Sequence, residues 1–106
     1  RSLPNVELLK CNPNNHGHVE ISELLFRLGE MGVLSLLVEG GQKVYGSFLK
    51  AKTVDEFAFF IAPKILGQGI PWTDYPAAQH ITQALNIKPL SIEQIGDDIL
   101  YKAVMV

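Results

Sequence analysis

The feature that most constrains this chain is an apolar run at residues 34–38 that ends in Glu39-Gly40-Gly41 and leads directly into an amphipathic helix pattern. Paired glycines let the backbone approach a ligand closely, and the first N–H groups of a helix have no acceptor within the helix. Together with the partial positive charge of the helix start, they favour an anion such as a phosphate. The turn therefore indicates a site for a nucleotide or a phosphorylated ligand, with a plain strand-to-helix turn as the alternative.

Two well-known glycine motifs do not fit this turn. The dinucleotide-binding pattern G-x-G-x-x-G fails because the glycines stand at positions 40, 41 and 46. The P-loop pattern needs a lysine directly after its second glycine, and Ser47 occupies that position and is followed by Phe48. Since that lysine is what reaches the terminal phosphates, a kinase or ATPase is disfavoured.

Hydrophobic periodicity in the first part of the chain predicts an α/β protein. Residues 5–10 and 34–38 are predicted strands, and the second is nearly all apolar, as expected for a strand buried on both faces of a parallel sheet. Between them, apolar residues at positions 21–28 recur at the spacing of an amphipathic helix, which we expect to end at Gly32. Strand, helix and strand in this order predict a right-handed βαβ unit.

The rest of the chain predicts a second helix and more strands. The helix covers residues 41–51, and an apolar strand follows at 57–62. Residues 63–76 contain several prolines and glycines and are predicted as a long loop, either a surface connection or a flap near the ligand. Residues 90–95 and 99–106 partly alternate apolar and polar side chains, which predicts an antiparallel C-terminal hairpin.

Three short blocks occur in order between positions 34 and 67, namely Glu39-Gly40-Gly41, Val54-Asp55-Glu56 and Ala62-Pro63-Lys64-Ile65-Leu66-Gly67. On these blocks the chain resembles the reductase domain of the riboflavin-biosynthesis deaminase/reductase proteins. The resemblance implies a dihydrofolate-reductase-like fold, in which a mixed sheet is flanked by helices and ends in an antiparallel hairpin. Because that domain is much longer than this chain, we expect residues 1–106 to be the C-terminal part of a single reductase domain and to be inactive alone.

The activity that the resemblance implies is the NADPH-dependent reduction of the ribosyl group of 5-amino-6-(5-phosphoribosylamino)uracil to the ribityl form, in riboflavin biosynthesis. The cofactor supplies the hydride, so few catalytic side chains are needed, and none is assigned. By the same resemblance, Glu39 contacts the phosphorylated aminopyrimidine substrate. The cofactor-binding segment comprises Gly40, Gly41, Gln42, Lys43, Val44, Tyr45, Gly46 and Ser47.

Within this cofactor segment, we expect a backbone contact from Gly41 and phosphate hydrogen bonds from Gln42 and Lys43. Val44 and Tyr45 are expected to contribute main-chain or packing contacts only. Members of the family often carry Pro-Thr after the glycines, whereas Gln42-Lys43 stands here. That departure leaves the choice between NADPH and NADH open.

Composition and charge narrow the possible partners. The net charge of −2 argues against broad binding to nucleic acids or to anionic membranes. No apolar run approaches the roughly 20 residues that a membrane span requires, and a cytoplasmic enzyme is expected. A zinc site takes three or four convergent ligands, and the sequence offers only Cys11 and a His-x-His pair, His16 and His18, in one polar loop, so no metal is predicted. In the family the C-terminal strands help to form a homodimer, which we expect here as well.

Two other functions stay open at this point. The first is a dihydrofolate-reductase-like enzyme that acts on a pteridine, against which the Ala62-Pro63-Lys64 block speaks. The second is a non-catalytic nucleotide-binding or dimerisation module that keeps the fold without the chemistry. Turnover on the ribosylaminopyrimidine phosphate, on dihydrofolate or on neither would separate the three.

Overall fold

The computed structural model describes residues 4–106, which divide after Val38 into two compact units. The first unit contains helix α1, Ile21–Glu30. The second unit contains, in chain order, helix α2 (Gln42–Lys50), strand β1 (Glu56–Ile61), a short 3-10 helix (Ile81–Gln83), strand β2 (Ile87–Ile95) and strand β3 (Asp98–Met105). None of the helices in the part of the chain described is long and apolar enough to cross a membrane.

Helix α1 forms where the periodicity predicts it. Its first residue, Ile21, is buried, and an ion pair between Arg27 and Glu23 links successive turns, with 3.2 Å between Nη2 and Oε2. Glu23 also accepts a hydrogen bond from the Asn12 N–H, at 2.8 Å, which ties the preceding loop to the helix. The helix is followed by Gly32 at φ +90°, a left-handed conformation that glycine adopts without strain. The predicted helix and its glycine end are confirmed.

The two strands predicted in the first unit are wrong. Neither 5–10 nor 34–38 is a strand, and among residues 4–38 the single β-bridge joins Pro13 to Val19. Leu34 is fully exposed and Leu37 is 81% exposed, although an apolar run of this kind was expected to be buried on both faces. A strand exists only through hydrogen bonds to a neighbouring strand, and no described segment pairs with these two. The predicted βαβ unit therefore does not form.

The second unit is built on a three-stranded sheet in the order β1-β3-β2, in which both pairings are antiparallel. Strand β1 confirms the strand predicted at 57–62, one residue earlier at each end. Strands β2 and β3 confirm the C-terminal hairpin, which turns through Gly96, and a register shift interrupts β2 between Pro89 and Ser91. The parallel part of the predicted mixed sheet is absent from residues 4–106.

The most buried side chains of the second unit belong to the central strand and to helix α2. Ala103 of β3 is completely buried, and Leu100 of the same strand and Leu49 of α2 are nearly so. Helix α2 confirms the helix predicted over 41–51 and is followed by a left-handed residue, Lys52 at φ +57°. The Thr53 hydroxyl then donates a hydrogen bond of 3.2 Å to the Phe48 carbonyl, satisfying one of the last helical carbonyls.

Candidate functional site

The start of helix α2 is open to a ligand. Gly41 precedes the helix in extended conformation, at φ −86° and ψ −177°, and its carbonyl accepts the first helical hydrogen bond from the Tyr45 N–H at 3.2 Å. Within the described residues no side chain caps this end, and its first turn carries no acidic residue. A Cβ built on Gly41 would meet no atom within 4 Å. The space beside Gly41 is therefore open and the first turn of α2 carries no negative side chain, two features that an anion site at a helix start requires.

The residue before this opening is held against the helix. The Gly40 N–H donates a hydrogen bond of 3.2 Å to the Tyr45 hydroxyl, one turn into α2. A Cβ built on Gly40 would lie 3.3 Å from the Val44 Cβ, closer than side chains ordinarily pack. A side chain at position 40 would therefore crowd Val44, whereas the absence of a side chain at Gly41 leaves open space.

The loop at 63–76 contains no helix or strand, as predicted, and its last part packs on α2. The Asp74 N–H donates a 3.1 Å hydrogen bond to the Gln42 carbonyl, and the Asp74 carboxylate lies against Gly46. The Trp72 ring meets the Tyr45 ring edge-on, with 5.9 Å between centroids. The loop thus contacts the helix that begins at the glycine turn, and its two interpretations, a surface connection or a flap near the ligand, stay predictions.

An apolar pocket of about 290 Å³ lies between α2, the sheet and this loop. Phe57 and Phe59 stack at 5.5 Å between ring centroids, and Trp72 meets Phe59 edge-on at 5.4 Å. The residues lining the pocket are Leu49, Phe57, Phe59, Trp72, Thr73, Tyr75, Pro76, Ala78, Gln83, Ala84, Leu85, Ile87 and Met105. Sequence reasoning missed this pocket, because its residues come from four separate segments. The one available signal was the pair of aromatic residues at alternate positions of β1.

The predicted site residues differ in how they meet solvent. Five of them are exposed, namely Glu39, Gly40, Gly41, Lys43 and Val44. Three are half-buried, namely Gln42, Tyr45 and Ser47. Gly46 is buried and turned toward the Asp74 carboxylate. The structure thus gathers Glu39, the glycine turn and the first turn of α2 in one short exposed stretch, and it places Gly46 at the contact with the loop.

The described residues offer no ready metal centre. No group of three or more His, Cys, Asp or Glu side chains that could hold a metal ion occurs among residues 4–106. Cys11 is a half-buried free thiol in the first unit. The chemistry available at the helix start is therefore that of backbone N–H donors, one exposed ammonium at Lys43 and one exposed carboxylate at Glu39.

Comparison with known protein families shows to which family the chain belongs. The RibD C-terminal domain family matches residues 2–101. The chain belongs to this family. RibD of Actinobacillus pleuropneumoniae, a riboflavin biosynthesis protein, is 38% identical over 103 residues, which cover 95% of this chain and 27% of that protein. RibD of Escherichia coli (strain K12) is 32% identical over 88 residues, covering 82% of this chain and 24% of the relative. The chain thus spans about a quarter of the length of these relatives.

Solved RibD structures share the fold. Acinetobacter baumannii RibD superposes with a TM-score of 0.76 at 24% identity, over 85% of this chain and 27% of that one. The deaminase/reductase of Thermotoga maritima superposes with a TM-score of 0.70 at 25% identity, over 82% of this chain and 24% of that one. The α/β, dihydrofolate-reductase-like fold class that the resemblance implies is therefore confirmed.

Proposed function

We propose that residues 1–106 form the C-terminal, cofactor-binding part of a single reductase domain. The proposed reaction is the reduction of the ribosyl group of 5-amino-6-(5-phosphoribosylamino)uracil to the ribityl form by NADPH, in riboflavin biosynthesis. The observation that carries the proposal is the open glycine turn at the start of α2 within a RibD C-terminal domain. It is supported by the Thermotoga maritima neighbour, which is named as a 5-amino-6-(5-phosphoribosylamino)uracil reductase as well as a deaminase.

The geometry of the turn fits a cofactor phosphate. Gly41 leaves the approach clear, and the N–H groups of Gln42 and Lys43 belong to the first helical turn, where no intrahelical acceptor is available. The exposed Lys43 ammonium adds a positive charge beside them. Bound NADPH would supply the hydride, and the role of these residues is to hold its phosphates so that the nicotinamide keeps a fixed position.

The substrate contact falls to Glu39. Its carboxylate is exposed and directly precedes the glycine turn, so a sugar bound beside the cofactor comes within its reach. An ionised carboxylate only accepts hydrogen bonds, and the hydroxyls of a ribosyl or ribityl chain are suitable donors. Glu39 therefore orients the substrate and carries no step of the hydride transfer.

The quaternary structure that we propose is a homodimer formed through the C-terminal strands. Strand β2 lies at an edge of the sheet, and Leu90, Ile92 and Ile95 along it are exposed. An exposed apolar edge strand is prone to pair with another chain, and a second copy covers it without new chemistry. We place the enzyme in the cytoplasm, with neither nucleic acid nor membrane as a partner. Light scattering that gives a monomeric mass for the native protein would contradict the dimer.

The decisive experiment uses the native gene product that contains residues 1–106. NADPH consumption is followed with the ribosylaminopyrimidine phosphate, with dihydrofolate and with neither substrate, and NADPH and NADH are titrated in parallel by calorimetry. We expect turnover on the first substrate alone, lost together with NADPH binding on Gly41→Asp, because a carboxylate at the helix start repels phosphate. Turnover on dihydrofolate, or NADPH binding that survives Gly41→Asp, would overturn the proposal.

A further inference from the structure

We propose that Asp74 is a positioning residue for the glycine turn. It lies in the loop between β1 and β2, outside the cofactor segment, and it contacts α2 at three points along the helix. The inference rests on the proposed function, because the turn that Asp74 would position is the proposed phosphate site. We assign Asp74 no contact with cofactor or substrate; it acts through the helix.

The three contacts of Asp74 lie on one face of α2. Its N–H donates to the Gln42 carbonyl at 3.1 Å, its carboxylate lies against Gly46, and its Oδ1 stands 3.7 Å from the Lys50 Nζ. Positions 42, 46 and 50 are each four residues apart, which places them above one another on a helix. One loop residue thus engages the first turn, the middle and the last turn of the helix.

Gly46 is what admits the carboxylate. A Cβ built at this position would overlap the Asp74 carboxylate, and Gly46 is one of two buried residues in α2. Glycine in the middle of a helix costs about 1 kcal/mol relative to alanine, so its presence calls for a compensating contact. Asp74 supplies that contact, and Gly46 therefore serves the packing of the loop on the helix.

A second contact joins the same loop to the glycine turn. Trp72, two residues before Asp74, meets the Tyr45 ring edge-on, and the Tyr45 hydroxyl accepts the hydrogen bond from Gly40. The loop therefore reaches the turn by two routes, one through the Gln42 carbonyl and one through Tyr45. A turn held in place before the ligand arrives loses less freedom on binding and binds more tightly.

The solvent exposure of Lys50 and Asp74 indicates which Asp74 contact contributes to positioning the turn. The side chains of Lys50 and Asp74 are 51% and 34% exposed, so their ion pair is screened by water and contributes little. The packing on Gly46 depends on the shape of the side chain and not on its charge. The hydrogen bond to the Gln42 carbonyl comes from the Asp74 backbone N–H and is retained when the side chain is changed, so Asp74→Ala removes only the side-chain packing that seats the loop on α2. We therefore expect the isosteric, uncharged Asp74→Asn to bind NADPH as the wild type does and the truncated Asp74→Ala to bind it more weakly.

The test measures NADPH binding and steady-state kinetics on the native gene product. We expect Asp74→Ala to raise the Kd and the KM for NADPH about three- to tenfold, because ordering one further side chain on binding weakens affinity by about that factor. The kcat should stay within about twofold of the wild-type value. Asp74→Asn and Lys50→Met should stay within about twofold of the wild type. A matched control is Glu23→Ala in the first unit, which removes a carboxylate that also forms an ion pair and accepts a hydrogen bond, and which should leave the Kd unchanged.

A double mutant separates positioning from general loss of stability. Gly46→Ala alone should displace the carboxylate and raise the Kd as Asp74→Ala does, and the combined variant should bind no more weakly than either single one, because both break one contact. Additive losses, or a Kd for Asp74→Ala equal to that of the wild type, would overturn the inference. If the wild type binds NADPH, Gly41→Asp does not, and Asp74→Ala binds it with the wild-type Kd, the role of Asp74 is refuted and the proposed function stands. If the wild type does not bind NADPH, the proposed function falls with it.

Discussion

Gly41→Ala should separate cofactor binding from folding. The residue precedes α2 at φ −86° and ψ −177°, a conformation that alanine adopts without strain, and its Cβ would enter open space. Replacing glycine by alanine at such a compatible position reduces the freedom of the unfolded chain, which stabilises by about 0.4–1 kcal/mol. Alanine is a poorer residue than glycine immediately before a helix, which costs a similar amount, roughly 0.5–1 kcal/mol. The free energy of unfolding should therefore change by less than about 0.5 kcal/mol.

The effect of the same methyl group on binding is much larger. At the proposed site it would stand beside the first turn of the helix, where we expect a phosphate to approach. Losing one hydrogen bond to a charged phosphate oxygen costs about 1.5–3 kcal/mol. Since about 1.4 kcal/mol corresponds to a factor of ten, we expect the Kd for NADPH to rise about 10- to 100-fold.

The assay combines calorimetric titration with NADPH and urea denaturation of the same preparations. Gly69→Ala is the matched control, because it is the same substitution in a loop position where the new Cβ would meet only Leu66, at 3.8 Å. Gly69→Ala should leave the Kd unchanged and raise the free energy of unfolding by no more than about 0.4–1 kcal/mol. An unchanged Kd in Gly41→Ala, or a loss of binding that is fully accounted for by a loss of folded protein, would refute the assignment of the phosphate to this turn.

Three further predictions follow from the described contacts. Leu49 is only 5% exposed and lines the apolar pocket, so Leu49→Ala should lower the free energy of unfolding by about 2–3 kcal/mol in urea denaturation. Leu66 is 89% exposed, and the control Leu66→Ala should change this free energy by less than about 0.5 kcal/mol. Lys52→Gly should raise stability by about 0.5–1 kcal/mol, because it relieves a left-handed residue at the end of α2; a loss of stability in the same measurement would contradict this. Glu39→Gln should raise the KM for the aminopyrimidine substrate several-fold and leave the Kd for NADPH unchanged, and an equal loss of both would argue against a role in substrate contact.

The helices and the C-terminal hairpin could be predicted because their signals are local. The spacing of apolar residues at positions 21–28 and Gly32 after them are enough to predict α1 and its end. The hairpin of β2 and β3 follows from two alternating segments on either side of Gly96, whose left-handed backbone suits the turn. In both cases the residues that determine the structure are neighbours along the chain.

The strand predicted at 34–38 failed for the opposite reason. Its composition is typical of a buried parallel strand, but a strand is stabilised by hydrogen bonds to a segment that its own composition does not specify. In residues 4–106 no such segment pairs with it, and Leu34 and Leu37 remain exposed. Periodicity therefore predicts the potential to form a strand and not its partner.

The sequence by itself determined the glycine turn at the start of α2, because Gly40, Gly41 and the helix pattern that follows are contiguous and set the local backbone. Only the tertiary structure decided what surrounds that turn. It places Asp74 on the face of Gln42, Gly46 and Lys50, and it closes the apolar pocket with Trp72 and residues from both ends of the second unit. The Asp74 contacts join residues more than twenty positions apart, and such pairings follow from packing, which no local periodicity records.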